Sequence, residues 1–123
     1  MPKILVIEDM PESAEMTAQT LRKYGHQVWV AESGDAGLAL AAEHSPDLVI
    51  CDYWLPDLDA RTLLSQLRQI QALKDIKVLV CSAAPKDVVD KVQGEPHFDG
   101  FISKPYRLSG LLQAIDEQLA LAS

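Results

Sequence analysis

The sequence predicts one α/β domain in which five short parallel strands alternate with five helices that cover both faces of the sheet. Two observations support this doubly wound fold class. Short apolar runs bounded by turn residues recur along the chain, as expected for strands buried on both faces. Between them lie segments whose apolar residues recur at helical spacing. We find no linker, repeat or low-complexity tract, so residues 1–123 are predicted to form a single domain.

The strands and the first two helices follow from local patterns. Runs rich in Val, Ile and Leu place the strands at about 3–8, 27–31, 48–52, 77–81 and 99–103. The first helix, over 11–24, has apolar residues at helical spacing and ends at Gly25, because glycine favours the end of a helix. The second helix, over 34–44, begins at Ser33 or Gly34 and ends before Pro46.

The remaining helices differ in the strength of their patterns. We predict them over 60–72, 85–93 and 108–120. The first and last of these have stripes of Leu and Ile that would face a core. The segment 85–93 starts at Pro85, has only a modest apolar pattern and is followed by Gly94-Glu95-Pro96-His97, so we expect it to be short or mobile.

Composition and charge exclude several classes of protein. The net charge is −7, with 11 basic and 18 acidic residues, which argues against direct nucleic-acid binding because phosphates require a basic surface. The apolar runs fall far short of the roughly 20 residues needed to span a bilayer. The N-terminus enters a strand pattern without a basic and apolar leader. We therefore expect a cytoplasmic protein that does not interact with membranes.

Polar residues follow four of the predicted strands. Glu8-Asp9 follow the first strand, Asp52 ends the third, Ser82 follows the fourth and Lys104 follows the fifth. Ligand sites of open α/β sheets lie outside the carboxyl ends of the strands. Three carboxylates, a hydroxyl and an ammonium group are therefore expected at one edge of the sheet.

The charges at this edge predict a divalent cation. Glu8, Asp9 and Asp52 contribute −3 and Lys104 contributes +1. Two carboxylates roughly 5 Å apart repel by about 3 kcal/mol at an effective dielectric constant near 20. Oxygen ligands without histidine favour Mg²⁺, or Mn²⁺ as the second candidate, over zinc. With the repulsion offset, Asp52 is the natural nucleophile for phosphoryl transfer, and Lys104 and Ser82 are suitable donors to the phosphoryl oxygens.

The two cysteines have a simpler interpretation. Cys51 and Cys81 each precede a polar residue that ends a strand, so their thiols lie close together if the third and fourth strands are neighbours. Two thiols alone do not complete a zinc site. We expect buried, reduced thiols that pack as small apolar side chains, with a redox or metal role as the alternative.

At these residues the chain resembles the receiver (CheY-like) domain of bacterial two-component response regulators. The resemblance covers essentially all 123 residues and implies the flavodoxin-like strand order 2-1-3-4-5. It rests on four motifs found in the family order: Ile7-Glu8-Asp9, the block from Asp47 to Asp59, Cys81-Ser82-Ala83 and Lys104-Pro105.

The resemblance implies a phosphorylation site. Asp52 would accept a phosphoryl group from a histidine kinase or a histidine phosphotransfer protein. Asp9 and Asp52 would bind Mg²⁺ directly, together with the backbone carbonyl of Trp54, and Glu8 would act largely through water. Lys104, whose bond to the following proline is typically cis in the family, would pair with the phosphoryl group.

The resemblance also implies a switch. Ser82 would move toward the phosphoryl group, and Phe101 would occupy the aromatic position coupled to that movement. The output surface would comprise the fourth helical segment, the fifth strand and the fifth helix.

Such a domain performs self-phosphotransfer and autodephosphorylation only, so we do not class it as an enzyme. It would be either a complete single-domain regulator or part of a longer protein, with the downstream partner open.

Three other functions compete with this interpretation. A pseudo-receiver would keep the fold and act only as a protein-interaction module, although Asp9, Asp52, Ser82 and Lys104 are all present. A phosphatase resembling the haloacid dehalogenases would have Asp where Trp54 stands. A flavodoxin-like electron carrier would need a phosphate-binding loop after the first strand, where the acidic pair would repel phosphate.

Several single residues carry weaker expectations. Glu8-Asp9 could instead cap the first helix, and Ala60 replaces the glycine that is usual in the family after Asp59. Asp57 and Asp59 are expected to be plain loop residues, and His26, His44 and His97 are expected on the surface. Trp54 would lie at the mouth of the site, where its ring would restrict attacking water and prolong the phosphorylated state.

Overall fold

The computed structural model describes residues 2–82, 98–103 and 107–122. These residues include a five-stranded parallel sheet with the order β2-β1-β3-β4-β5. The strands are β1 (Lys3–Ile7), β2 (Gln27–Ala31), β3 (Leu48–Cys51), β4 (Lys77–Ser82) and β5 (Gly100–Ser103). The predicted fold class and strand order are confirmed, and each strand boundary lies within one residue of its prediction.

Helices pack on both faces of the sheet. They are α1 (Pro11–Lys23), α2 (Gly34–His44), α3 (Ala60–Gln69) and a C-terminal helix (Leu108–Ala122). The prediction of one continuous helix over 60–72 was wrong at its end. Ile70 adopts an extended conformation (φ −80°, ψ 120°), and a separate 3-10 turn follows at Gln71–Leu73. This break lets Leu73 and Ile76 pack into the core. The predicted segment 85–93 and Gly94–His97 lie outside the described residues.

The core is divided by the sheet into two clusters. Alternate strand residues such as Leu5, Val49 and Val80 pack on one face against α2 and α3. Their neighbours, such as Ile4, Ile50 and Leu79, pack on the other face against α1 and the C-terminal helix. The central strands are therefore apolar along their whole length, because both of their faces are buried. Their polar residues are confined to the ends, where the sheet meets solvent.

Asp99 anchors the start of β5. Its Oδ2 accepts the backbone N–H of Val78 at 2.7 Å and lies 3.4 Å from the guanidinium of Arg68, while its Oδ1 lies 3.7 Å from the ammonium of Lys77. Its backbone carbonyl accepts a hydrogen bond of 3.0 Å from the side chain of Gln118 on the C-terminal helix. One residue thus connects β4, α3 and the C-terminal helix at the edge of the sheet opposite to Asp52.

The expectation that His26 lies on the surface was wrong. Gly25 has φ +90° and donates its N–H to the carbonyl of Arg22, and His26 donates its own N–H to the carbonyl of Leu21. This pattern is the Schellman motif, in which the residue after the glycine packs back onto the helix. His26 is consequently only 8% exposed. His44 is also half-buried, and it stacks on Trp29 with ring centroids 4.3 Å apart.

In the described part of the chain, no helix has the length and apolar character needed to cross a bilayer.

Candidate functional site

The ends of β1 and β3 bring two acidic residues together. Ile7 and Cys51 are register partners in the sheet, so Glu8 and Asp52 leave it side by side. The N–H of Asp52 donates to the carbonyl of Ile7 at 3.1 Å, and the N–H of Glu8 donates to the carbonyl of Ala31 at 2.9 Å. The backbone of both residues is therefore fixed by bonds that extend the sheet.

The three acidic residues at this edge, Glu8, Asp9 and Asp52, differ in exposure. Glu8 and Asp52 are only 5% and 9% exposed, and both line a small cavity of about 10 Å³ together with Thr17 of α1. Asp9 is exposed at the same edge. Glu8 and Asp52 are therefore largely shielded from solvent, whereas Asp9 is open to it.

The described acidic residues do not form a complete metal cage. Over residues 2–82, 98–103 and 107–122, no group of three His, Cys, Asp or Glu side chains is close enough to hold a metal ion. Mg²⁺ does not require such a cage, since it usually retains several waters and takes one or two carboxylates. The oxygen donors of Glu8, Asp9 and Asp52, without histidine or thiolate ligands, suit this ion better than zinc.

The helix that follows Glu8 and Asp9 has neither of them at its N-cap position. Met10 occupies that position without a side-chain capping bond of its own, and Pro11 follows as the first helical residue. Proline suits that position because its missing N–H would have no partner in the helix. Neither Glu8 nor Asp9 is therefore the N-cap residue of α1.

The other predicted site residues are described only in part. Ser82 ends β4 and pairs in register with Ser103 of β5, which places its backbone at the carboxyl edge. Lys104, the residue after Ser103, and Pro105 lie outside the described residues. Phe101 is half-buried in β5, pairs in register with Val80, and packs against the core cluster on the α2 and α3 face.

Residues Tyr53–Ala60, which we call the β3–α3 arm, form a narrow hairpin beside Asp52. Its base is closed by a 2.7 Å hydrogen bond from the N–H of Ala60 to the carbonyl of Tyr53. Trp54 pairs with Asp59 as an isolated antiparallel bridge, and the N–H of Leu55 donates to the carbonyl of Leu58. Ala60 is fully buried at the start of α3 with no positive φ, so alanine fits where the family usually has glycine.

Trp54 lies on the arm with its side chain in solvent. It is 61% exposed, and its ring meets the buried ring of Tyr53 edge to face, with centroids 4.8 Å apart. Burial, with a smaller contribution from the charge of Asp59, raises the pKa of the Tyr53 hydroxyl. The exposed indole belongs to a residue two positions beyond Asp52 in the chain, and its place at the mouth of the site stays a prediction.

Asp57 and Asp59 are more than plain loop residues. The Asp57 carboxylate accepts the N–H groups of Gly34 and Asp35, at 2.8 and 2.9 Å, and these bonds hold the pKa of Asp57 below its usual value. Asp59 accepts the N–H of Thr62 at 2.8 Å and caps α3. The local spacing of an acidic N-cap could have predicted the second role. The first joins segments more than 20 residues apart, so no local pattern indicates it.

The cysteines are buried and form no disulfide, as predicted. Cys51 belongs to the core cluster on the α2 and α3 face, whereas Cys81 belongs to the cluster on the opposite face. Register pairs Cys51 with Val80, so the two side chains start from opposite faces of the sheet. Both cysteines nevertheless line the small cavity beside Glu8 and Asp52. Burial raises the pKa of the Cys51 thiol far above its usual range, and the nearby Cys81 and Asp52 raise it further.

Comparison with known proteins agrees with this geometry. The family model for the response regulator receiver domain matches residues 4–116. The DNA-binding dual master transcriptional regulator RpaA of Synechocystis sp. is 34% identical over 116 residues, covering 94% of this chain. The chain spans only 48% of RpaA. Protein PilH of Pseudomonas aeruginosa is 32% identical over 121 residues, which cover 98% of this chain and 99% of PilH.

A solved structure leads to the same conclusion. The signal receiver domain of a signal transduction histidine kinase from Syntrophus aciditrophicus superposes with a TM-score of 0.84 at 29% identity, covering 98% of this chain and 91% of that one. The sheet order, the acidic strand ends and the match over nearly the whole chain all agree. The chain belongs to the response regulator receiver domains of two-component phosphorelay systems.

Proposed function

We propose that this domain is a phosphoacceptor in which Asp52 receives a phosphoryl group from a phosphohistidine of a histidine kinase or a histidine phosphotransfer protein. The observation that supports this most directly is the pairing of Glu8 and Asp52 at adjacent strand ends in a member of the receiver family. The backbone bonds of both residues hold the two carboxylates at one edge before any partner binds.

The reaction depends on Mg²⁺, with Mn²⁺ as an alternative ion. Asp9, Asp52 and the backbone carbonyl of Trp54 would hold the ion directly, and Glu8 would contribute through water. When bound, the ion offsets the repulsion between carboxylates and phosphoryl oxygens. This assignment agrees with the oxygen-only donor set and with the exposure of Asp9, which leaves room for the waters that Mg²⁺ retains.

Asp52 acts as the nucleophile. A carboxylate oxygen attacks phosphorus, a P–O bond forms, and the P–N bond to the donor imidazole breaks, with the imidazole leaving as the neutral ring after protonation. The Lys104 ammonium and the Ser82 hydroxyl bind the phosphoryl oxygens. Water later cleaves the acyl phosphate, so the domain catalyses only its own phosphorylation and dephosphorylation.

The phosphorylated state would be transmitted through Ser82 and Phe101. Phe101 is half-buried on β5, next to the strand that ends at Ser82, so a movement of Ser82 would alter its packing. The output surface would include residues 85–93, β5 and the C-terminal helix, and it would bind a downstream protein or a fused output domain. We place this exchange in the cytoplasm.

Mass spectrometry of the intact protein tests the proposal. The wild type incubated with Mg²⁺ and acetyl phosphate should gain one phosphoryl group, and excess EDTA should prevent it. Asp52→Ala should gain none. Asp75→Asn is the matched control, because Asp75 is an exposed carboxylate that precedes β4 at the opposite edge of the sheet.

The same experiment distinguishes the pseudo-receiver. A wild type that gains no phosphoryl group with acetyl phosphate, with either ion, would leave protein interaction as the function. A gain that persists in Asp52→Ala would move the phosphorylation to another residue and overturn the assignment.

A further inference from the structure

The β3–α3 arm is attached to the rest of the fold at both ends. Its base joins β3 and α3 through the bond between Tyr53 and Ala60, and its two strands are bridged at Trp54. Its tip, Pro56-Asp57, is held by the two hydrogen bonds from the first turn of α2 to Asp57. Trp54 therefore lies between two fixed points.

The packing at the tip shows the same attachment independently of hydrogen bonding. A Cβ atom added to Gly34 would lie 2.6 Å from Cγ of Leu58. That distance is far below an ordinary contact between carbon atoms, so the absence of a side chain at Gly34 is what allows the arm to approach α2 this closely. Two adjacent arm residues, Asp57 and Leu58, thus meet the same turn of α2.

The start of α2 has a capping residue of its own besides Asp57. Ser33 already caps this helix, since its hydroxyl accepts the N–H of Ala36 at 3.2 Å. Ser33 is local to the helix, whereas Asp57 belongs to the arm. The two residues therefore stabilise the same helix terminus, but only one of them also restrains the arm.

We propose that Asp57 is a positioning residue of the phosphorylation site: by holding the arm against the first turn of α2, it fixes the backbone carbonyl of Trp54 where Mg²⁺ is bound. This inference rests on the proposed function. It goes further by making α2 a support of the metal site, although α2 contributes no ligand.

The decisive variant is Asp57→Asn, in which an NH₂ donor replaces one of the two carboxylate oxygens that accept the N–H groups of Gly34 and Asp35. Two variants serve as matched controls. Ser33→Ala removes the other cap of α2 without touching the arm. Asp35→Asn removes an exposed negative charge from the same corner without removing a bond of the arm. Gly34→Ala is a second test variant, because the added methyl group must displace the Leu58 side chain that packs the arm against α2.

A readout without metal comes first. Hydrogen exchange of the Leu55 and Ala60 amides, which are bonded within the arm, should accelerate in Asp57→Asn and Gly34→Ala. It should remain at the wild-type rate in Ser33→Ala and Asp35→Asn. Unchanged exchange of both amides in Asp57→Asn would show that the arm does not need Asp57, and would overturn the inference.

Mg²⁺ affinity is the second readout. In a Trp29→Phe background Trp54 is the single tryptophan, and its fluorescence reports on the arm. We expect Asp57→Asn to bind Mg²⁺ about 10-fold more weakly, as is typical when a support of a metal ligand is lost, while both controls keep the affinity of that background. If Asp57→Asn binds Mg²⁺ as tightly as the background protein does, the inference about Asp57 is refuted while the proposed function stands. A background protein that shows no response to Mg²⁺ would refute the metal assignment, while hydrogen exchange still decides whether Asp57 holds the arm.

Discussion

Replacing Asp99 with alanine should destabilise the domain by about 2–4 kcal/mol. The largest contribution comes from Val78, a fully buried residue whose N–H donates to Asp99 Oδ2 at 2.7 Å. In the alanine variant, residue 99 has no side-chain oxygen to accept the buried N–H of Val78. Leaving a buried donor without an acceptor costs about 1–3 kcal/mol. The contacts with Arg68 and Lys77 are longer and partly exposed, so they add only about 0.5 kcal/mol each.

Urea unfolding followed by circular dichroism measures this difference, and Asp99→Asn is the matched control. Its amide oxygen can still accept from Val78 while the charge is gone, so it should lose about 1 kcal/mol. For a domain of this length 2.5 kcal/mol corresponds to a fall in Tm of about 10 °C. If the asparagine variant is as unstable as the alanine variant, the ion pairs dominate and the reasoning from the buried N–H is wrong.

The remaining predictions concern the site and its surroundings. Trp54→Asn should shorten the lifetime of the phosphorylated protein, timed by intact mass after the donor is removed, because the exposed indole no longer restricts water; an equal or longer lifetime would contradict this role. Cys51 and Cys81 should react with a thiol reagent at neutral pH only as fast as the protein unfolds, because both are buried and the pKa of Cys51 is raised; rapid labelling of the native state would refute it. The difference in stability between wild type and Asp57→Asn should be fully present above about pH 5. It should disappear as the pH falls through the lowered pKa of Asp57, which lies below 3.8. Urea unfolding across that pH range measures this difference, and a difference that grows on acidification would contradict the prediction.

Much of the fold could be predicted because its dominant contacts are visible as local patterns. The strands are apolar on both faces, so each is a short uninterrupted run that cannot be confused with an amphipathic helix of ordinary length. The end of α3 was less predictable. Ile70 continues the helical spacing, yet the chain leaves the helix there to bury Leu73 and Ile76, and this tertiary packing overrides the pattern.

The acidic part of the site was predictable for a topological reason. Parallel strands place all of their carboxyl ends at one edge, so Glu8 and Asp52 had to be neighbours once β1 and β3 were adjacent. The roles of Asp57 and Asp99 were not predictable. Each depends on backbone N–H groups contributed by a distant segment, and no side-chain pattern records which N–H groups a fold leaves without a partner. The roles of Lys104 and of residues 85–93 remain predictions.

The position of β1 in the sheet has a consequence for how the domain is synthesised. Ile4 pairs with Val28 on one side and with Leu48 on the other, so both neighbours of the first strand come later in the chain. While a ribosome extends the polypeptide, this apolar strand has no second partner until residues 48–51 have emerged. Forming such distant contacts is entropically costly and slow. The carboxylates at the ends of β1 and β3 therefore come together only after this late pairing.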